Sequence, residues 1–120
     1  MHQHKELGDL GEDIAVEYLQ TKGYKILNRK WHYGHKELDI VAMDKGMLVI
    51  VEVKTRKSDY WEEPKDAVKR KKQKNMVDAA DAYIQEFNIE AEVRFDVVSV
   101  LIQGHKHVIE HIEDAFYPTL

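Results

Sequence analysis

The sequence predicts a single α/β domain with the element order α-βββ-α-ββ. Three observations predict it: an apolar stripe at helical spacing near the N-terminus, two β-rich runs about a glycine-containing turn, and a second helical stripe followed by two more β-rich runs. At 120 residues and 14.1 kDa the chain can bury one core but not two, so residues 1–120 read as one domain.

From Glu6 to Lys22, Leu7, Leu10, Ile14 and Tyr18 recur at helical spacing with Ala15 and Leu19, and Gly23 stands where a C-terminal cap belongs. Gly8 and Gly11 inside this helix each cost up to about 1 kcal/mol relative to alanine, which points to close packing or close approach of a backbone there. Tyr24 to Trp31 reads as a first strand and Glu37 to Lys54 as a hairpin. Thr55 to Glu63 reads as a loop. Its Tyr60 and Trp61 would either stack on a base or tuck onto the core. Pro64 suits a helix start, and Val68, Met76, Val77, Ala80, Tyr83, Ile84 and Phe87 continue the spacing. Val93 to Ile102 and His107 to Ile112 complete the strands, joined by a turn at Gln103-Gly104.

Within the hairpin, Asp39 precedes Glu52-Val53-Lys54 by 13 positions. A two-residue Lys45-Gly46 loop pairs Asp44 with Met47 and sets Asp39 opposite Glu52, with β-carbons about 5 Å apart. A three-residue Asp44-Lys45-Gly46 loop would shift that pairing by one. Strand alternation gives Glu52 and Lys54 one face and Val51 and Val53 the other. Two facing carboxylates destabilise a sheet unless a charge offsets them, and a divalent cation such as magnesium suits oxygen donors. By itself the Glu-x-Lys triplet favours a plainer reading: Asp39, Glu52 and Lys54 on a solvated face, and Leu38, Ile40, Val51 and Val53 on the core face.

The net charge of −4 argues against a nucleic-acid partner, but its distribution argues for one. Residues 53–75 hold nine Lys/Arg against four Asp/Glu, a local +5 that leaves −9 for the rest. Much of this basic lobe is the run Lys69-Arg70-Lys71-Lys72-Gln73-Lys74; a six-residue run on a helix points all round it, so phosphate contact and simple solvation remain open for its members. No cysteine is present, which excludes disulfides, thiolate metal sites and a thiol nucleophile. Seven histidines are spread along the chain, His2 and His4 at the N-terminus and His105, His107 and His111 on or near the last strand, and read as polar surface rather than zinc ligands. No apolar run approaches the roughly 20 residues of a membrane span, and the first residues form no apolar signal segment, so a cytoplasmic setting without a membrane partner is expected.

Five ordered motifs resemble the YraN-like family. They are Gly8-x-x-Gly11-Glu12-x-x-Ala15-x-x-Tyr18-Leu19, Glu37-Leu38-Asp39-Ile40-Val41-Ala42, Val51-Glu52-Val53-Lys54-Thr55-Arg56, Ala67-Val68 with Lys71 or Lys72, and Arg94-Phe95-Asp96-Val97-Val98. That family is similar to the Holliday-junction resolvases of the PD-(D/E)xK nuclease superfamily. The resemblance implies a restriction-endonuclease-like mixed sheet flanked by helices and a Mg2+- or Mn2+-dependent phosphodiesterase site. It implies Asp39 and Glu52 as metal ligands, Lys54 as the group that orients or helps deprotonate the attacking water, and Glu12 as the acid that completes the site from the first helix. The Val53 carbonyl would be a further oxygen ligand. Arg56, Lys57, Lys69, Arg70, Lys71, Lys72 and Lys74 would hold backbone phosphates of DNA, contacts that carry little sequence information. The sequence departs from the family at Lys36, where relatives usually have glycine, and has Leu38 where the superfamily has proline. The function expected is a structure-selective DNA endonuclease of repair or recombination, and a homodimer would suit a branched substrate. The competing expectations are a nucleic-acid-binding adaptor without catalysis and a protein-interaction module built on Tyr60, Trp61 and the edge of the last strand.

Overall fold

A computed structural model describes residues 3–57 and 68–118. Its elements are α1 (Gln3–Thr21), β1 (Lys25–Tyr33), β2 (Lys36–Asp44), β3 (Met47–Lys57), α2 (Arg70–Phe87), β4 (Val93–Gln103) and β5 (Lys106–Ile112). This is the α-βββ-α-ββ order that the sequence predicts. The strands form one mixed sheet in the order β1-β2-β3-β4-β5, antiparallel throughout except for the parallel β3–β4 pair. A parallel neighbour requires a crossover, and α2 lies within it.

The helices cover opposite faces of the sheet. Ala15 and Leu19 of α1 pack on Ile40, Ala42, Val49, Val51, Val98 and Val100. On the other face Met76, Ala79, Ala80 and Tyr83 of α2 pack on Leu38, Val41, Leu48, Ile50, Phe95 and Val97. Both faces of β3 are therefore buried, which explains its unbroken apolar run from Leu48 to Val51. Trp31, edge-on, and Phe87, tilted, extend the α2 layer against Tyr83, whose hydroxyl donates to Asn28 Oδ1 at 2.6 Å.

Several boundaries differ from expectation for physical reasons. α1 starts earlier, at Gln3. β3 continues through Thr55, Arg56 and Lys57, positions expected in a loop, because β4 offers parallel partners as far as Lys57↔Ile102. The second helix starts at Arg70; Lys69 is extended and Val68, though buried, precedes the helix. Tyr60, Trp61, Pro64 and Ala67 lie outside the described residues. The caps follow the sequence: Gly23 takes a positive φ of 93°, and Tyr24 N–H and Gly23 N–H close back on the Leu19 and Gln20 carbonyls.

Candidate functional site

Lys45 and Gly46 both adopt positive φ, the two-residue turn that suits strand twist, and the register runs from Asp44↔Met47 to Ile40↔Val51. The three-residue alternative is thus excluded. Extended by one pair, this register would bring Asp39 opposite Glu52, but the ladder stops just short of them. There Asp39 Oδ2 accepts the Val53 N–H at 2.8 Å. A carboxylate has entered the place of ladder pairing, and β2 and β3 part around it.

The same point breaks the alternation of β2. Leu38 packs under α2 but Ile40 under α1, so the expectation that both share one core face is corrected. The neighbouring β1 bends with it: Arg29 pairs with Ile40 and Trp31 with Leu38, and Lys30 between them has a positive φ of 50°. Asp39, on the level of Lys30, sits at the hinge between the two faces.

On the α1 side, Asp39, Val53 and Thr55 line a cleft of about 330 Å³ with Leu7, Gly8, Asp9, Glu12, Lys30 and Glu37. Glu12 is buried, accepts from Arg29 Nε at 3.0 Å and lies 3.5 Å from Lys30 Nζ. Lys30 also donates to Asp9 at 2.8 Å. Gly11 explains how the helix comes so near: a β-carbon there would overlap the Thr55 side chain. Gly8 is different, since a β-carbon would meet nothing within 4 Å, so the close-packing expectation holds at Gly11 and fails at Gly8.

On the α2 side, Glu52 is buried with two ammonium groups near it, Lys54 Nζ at 3.8 Å and Lys72 Nζ at 3.7 Å. Burial pushes the Asp39 carboxyl up to about 8; the Glu52 charge adds to this, and the Val53 N–H and Lys72 only partly oppose it. Near neutrality the Asp39 carboxyl therefore tends to hold its proton. It also links the two halves of the site, with Glu12 on one side of the sheet and Glu52, Lys54 and Lys72 on the other.

The remaining basic positions divide. Lys72 turns inward to Glu52, whereas Lys69, Arg70, Lys71 and Lys74 are exposed at the start of α2; Arg56 is half-buried and Lys57 exposed at the end of β3. Lys36 pairs with Asp78 of α2 at 3.0 Å. No sequence signal marks Lys30 or Asp9, which only the kink at Lys30 and the cleft identify, while Glu37 stands in a motif that assigns it no role. His111 corrects the reading of the histidines as surface: its ring is buried, bonded to Asp96 at 2.8 Å and to the Tyr18 hydroxyl at 3.1 Å.

Whether Mg2+ or Mn2+ suits these residues turns on donor chemistry. Among the described residues no three Asp, Glu or His side chains converge as a ready-made cation site, and Glu12 is held by Arg29 and Lys30. Magnesium asks for less, since it commonly binds through one or two carboxylates and keeps several waters. Two neighbouring carboxyl groups beside a main-chain carbonyl and an open cleft offer donors of that kind, with Lys54 and Lys72 competing for Glu52.

Fold and site together define a class: a three-layer α/β domain whose parted central hairpin holds a largely buried acid pair beside a lysine. The family model for "Uncharacterised protein family UPF0102" matches residues 11–100, which include every element of the site except the first turns of α1. The chain belongs to this family, the YraN-like group. It is 49% identical to a UPF0102 protein of Bacteroides thetaiotaomicron over 120 residues, covering 100% of this chain and 99% of that one. It is 45% identical to a UPF0102 protein of Phocaeicola vulgatus with the same coverage, and 46% identical to one of Flavobacterium johnsoniae over 98% of each chain.

Proposed function

We propose that the protein is a metal-dependent DNA endonuclease, structure-selective and similar to the Holliday-junction resolvases, that hydrolyses phosphodiester bonds in repair or recombination. The observation that carries the proposal is the pair of buried Glu52 and partly buried Asp39 at the end of the β2–β3 ladder, with the Asp39 carboxyl pushed up to about 8. Lys54 and Lys72 pair with Glu52 at 3.8 and 3.7 Å, whereas no ion pair among the described residues reaches Asp39.

Asp39, Glu52 and the Val53 carbonyl would hold Mg2+ or Mn2+. When bound, such an ion neutralises charge on the nonbridging phosphate oxygens and acidifies a water nucleophile. Lys54, kept beside Glu52, would orient that water or help take its proton, and would offset the charge that grows on the phosphate. Glu12 would complete the site from α1, its carboxylate fixed by Arg29 and Lys30. The exposed Lys69, Arg70, Lys71 and Lys74, with Arg56 and Lys57, would hold backbone phosphates, and a pair of copies would suit a branched substrate.

The test incubates wild type, Glu52→Ala and Lys54→Ala with branched, single-stranded and linear DNA in Mn2+ or in EDTA. Cleavage by wild type, lost in EDTA and reduced by about a hundredfold or more in either variant, is the expected result. Cleavage undiminished in Glu52→Ala would remove the acid pair from the chemistry. A second reading, a DNA-binding adaptor without catalysis, draws support from the missing third ligand among the described residues. It predicts salt-sensitive binding with no metal requirement and no cleavage of any of the three DNAs.

A further inference from the structure

A second groove, of about 590 Å³, runs between the outer face of α2 and the C-terminal segment. Its lining joins Arg70, Lys71 and Lys74 of α2 to Tyr117 and Pro118. Arg29, Lys30, Lys36 and Arg94 are all engaged with carboxylates, whereas Arg70, Lys71 and Lys74 have no acidic partner among the described residues. Arg70 and Lys74 are one helical turn apart, where like charges repel, and cations in the first turn oppose the helix dipole. The fold gains nothing from this arrangement. A polyanion in the groove would.

Tyr117 makes the groove more than a basic face. Its ring is 70% exposed, yet it is fixed in place. Phe116 beside it stacks on Phe95 at 5.0 Å, and the Ala115 N–H donates to the Phe95 carbonyl at 2.7 Å. Asp114 takes a positive φ, with its N–H held by buried Asp96 at 3.0 Å, and its carboxylate accepts from the Tyr117 hydroxyl at 2.9 Å. An aromatic plane anchored at its tip and open on its face matches a stacking platform. The acids nearby are engaged, Asp78 with Lys36 and Asp114 with Tyr117.

We propose that this groove is a subsite for an unpaired nucleotide, its base stacked on Tyr117 and its flanking phosphates held by Arg70, Lys71 and Lys74. Stacking needs a base with a free face, which a single strand, a junction or a flap offers and a continuous duplex does not. The subsite rests on the nucleic-acid part of the proposed function and not on its metal part. It gives that function a physical source of preference for interrupted duplexes.

The experiment measures binding of fluorescent oligo(dT) and of a blunt duplex of equal length, in EDTA at low salt, to wild type, Tyr117→Leu and Tyr117→Phe. Tyr117→Leu is expected to weaken oligo(dT) binding by about tenfold while duplex binding stays within about twofold, and Tyr117→Phe to retain most of it. Thermal unfolding of each variant reports whether the fold is kept. Tyr117→Trp supplies a second readout, since oligo(dT) should quench the new indole. Oligo(dT) binding unaffected by Tyr117→Leu, or lost equally with the duplex in a folded protein, would overturn the subsite while leaving the endonuclease reading intact. Failure of wild type to bind any DNA at low salt would overturn both. Equal, Tyr117-independent binding of polyglutamate would reduce the groove to a generic polyanion face.

Discussion

Asp39 and Asp96 are carboxylates on neighbouring parts of one sheet, and their surroundings drive them in opposite directions. Asp96 is fully buried; burial pushes its carboxyl up, but hydrogen bonds from His111, from the Arg94 guanidinium and from the Asp114 N–H outweigh this and leave it below its usual value. Asp39 is partly buried beside another carboxylate, with the Val53 N–H as its backbone donor and the Lys72 charge only partly opposing the shift, and is pushed up to about 8. Burial sets the cost of the charge, and the partners decide whether it is met. Asp96 is a structural acid, fully partnered, that ties β4 to β5 and fixes the C-terminal turn. Asp39 has only the Val53 N–H and a neighbouring carboxyl group where Asp96 has a full set of donors.

Stability measurements can break this contrast. The largest effect is expected for Asp96→Ala, which strips Arg94 and His111 of their shared partner and should cost about 3 kcal/mol or more in chemical unfolding. Gly11→Ala should cost about 1–3 kcal/mol, because α1 must shift away from Thr55, and should reduce any activity that needs Glu12 beside Asp39. Gly8→Ala, with open space around it, should instead stabilise by up to about 1 kcal/mol.

The pH dependence carries opposite signs at the two acids. Asp96 has a lowered folded value, so its contribution is present above its unfolded value of 3.8 and is lost as pH falls through the lower folded one. Asp39 has a raised value, so the metal-free protein loses stability as pH rises from 3.8 to about 8. Asp39→Asn should therefore stabilise the metal-free protein at pH 8, by an amount on the order of 1–2 kcal/mol, and the gain should vanish near pH 4. A destabilised Asp39→Asn at pH 8 would mean that the carboxylate is already compensated. The smallest effect is expected for Lys72→Ala, a partly exposed pair at 3.7 Å that is worth under about 1 kcal/mol; its mark would be a further rise of the Asp39 value, read by titration.

The fold was legible because its signals are local and agree. The stripes of α1 and α2 gave the helices, and Lys45-Gly46 gave the hairpin and its register. The site was legible in part. Alternation correctly set Glu52 and Lys54 apart from Val53, but it could not foresee that Asp39 would interrupt the ladder or that Leu38 and Ile40 would take opposite faces, since these depend on the kink at Lys30 one strand away. Lys72 read as one of five basic residues in the run 69–74; only the seating of α2 aims it at Glu52. His111 looked like surface because its partners are contributed by α1 and β4, far off in sequence.

The central claim, that Asp39 and Glu52 form an acid pair awaiting a divalent cation, is tested most directly by counting protons. Mn2+ is titrated calorimetrically at pH 7 in two buffers of different ionisation heat, into wild type, Asp39→Asn and Glu52→Ala. Asp39, raised to about 8, is mostly protonated at that pH, so wild type should bind Mn2+ with release of about one proton, Asp39→Asn should release almost none, and Glu52→Ala should bind far more weakly. Binding of Mn2+ without proton release and with equal affinity in all three proteins would contradict the account.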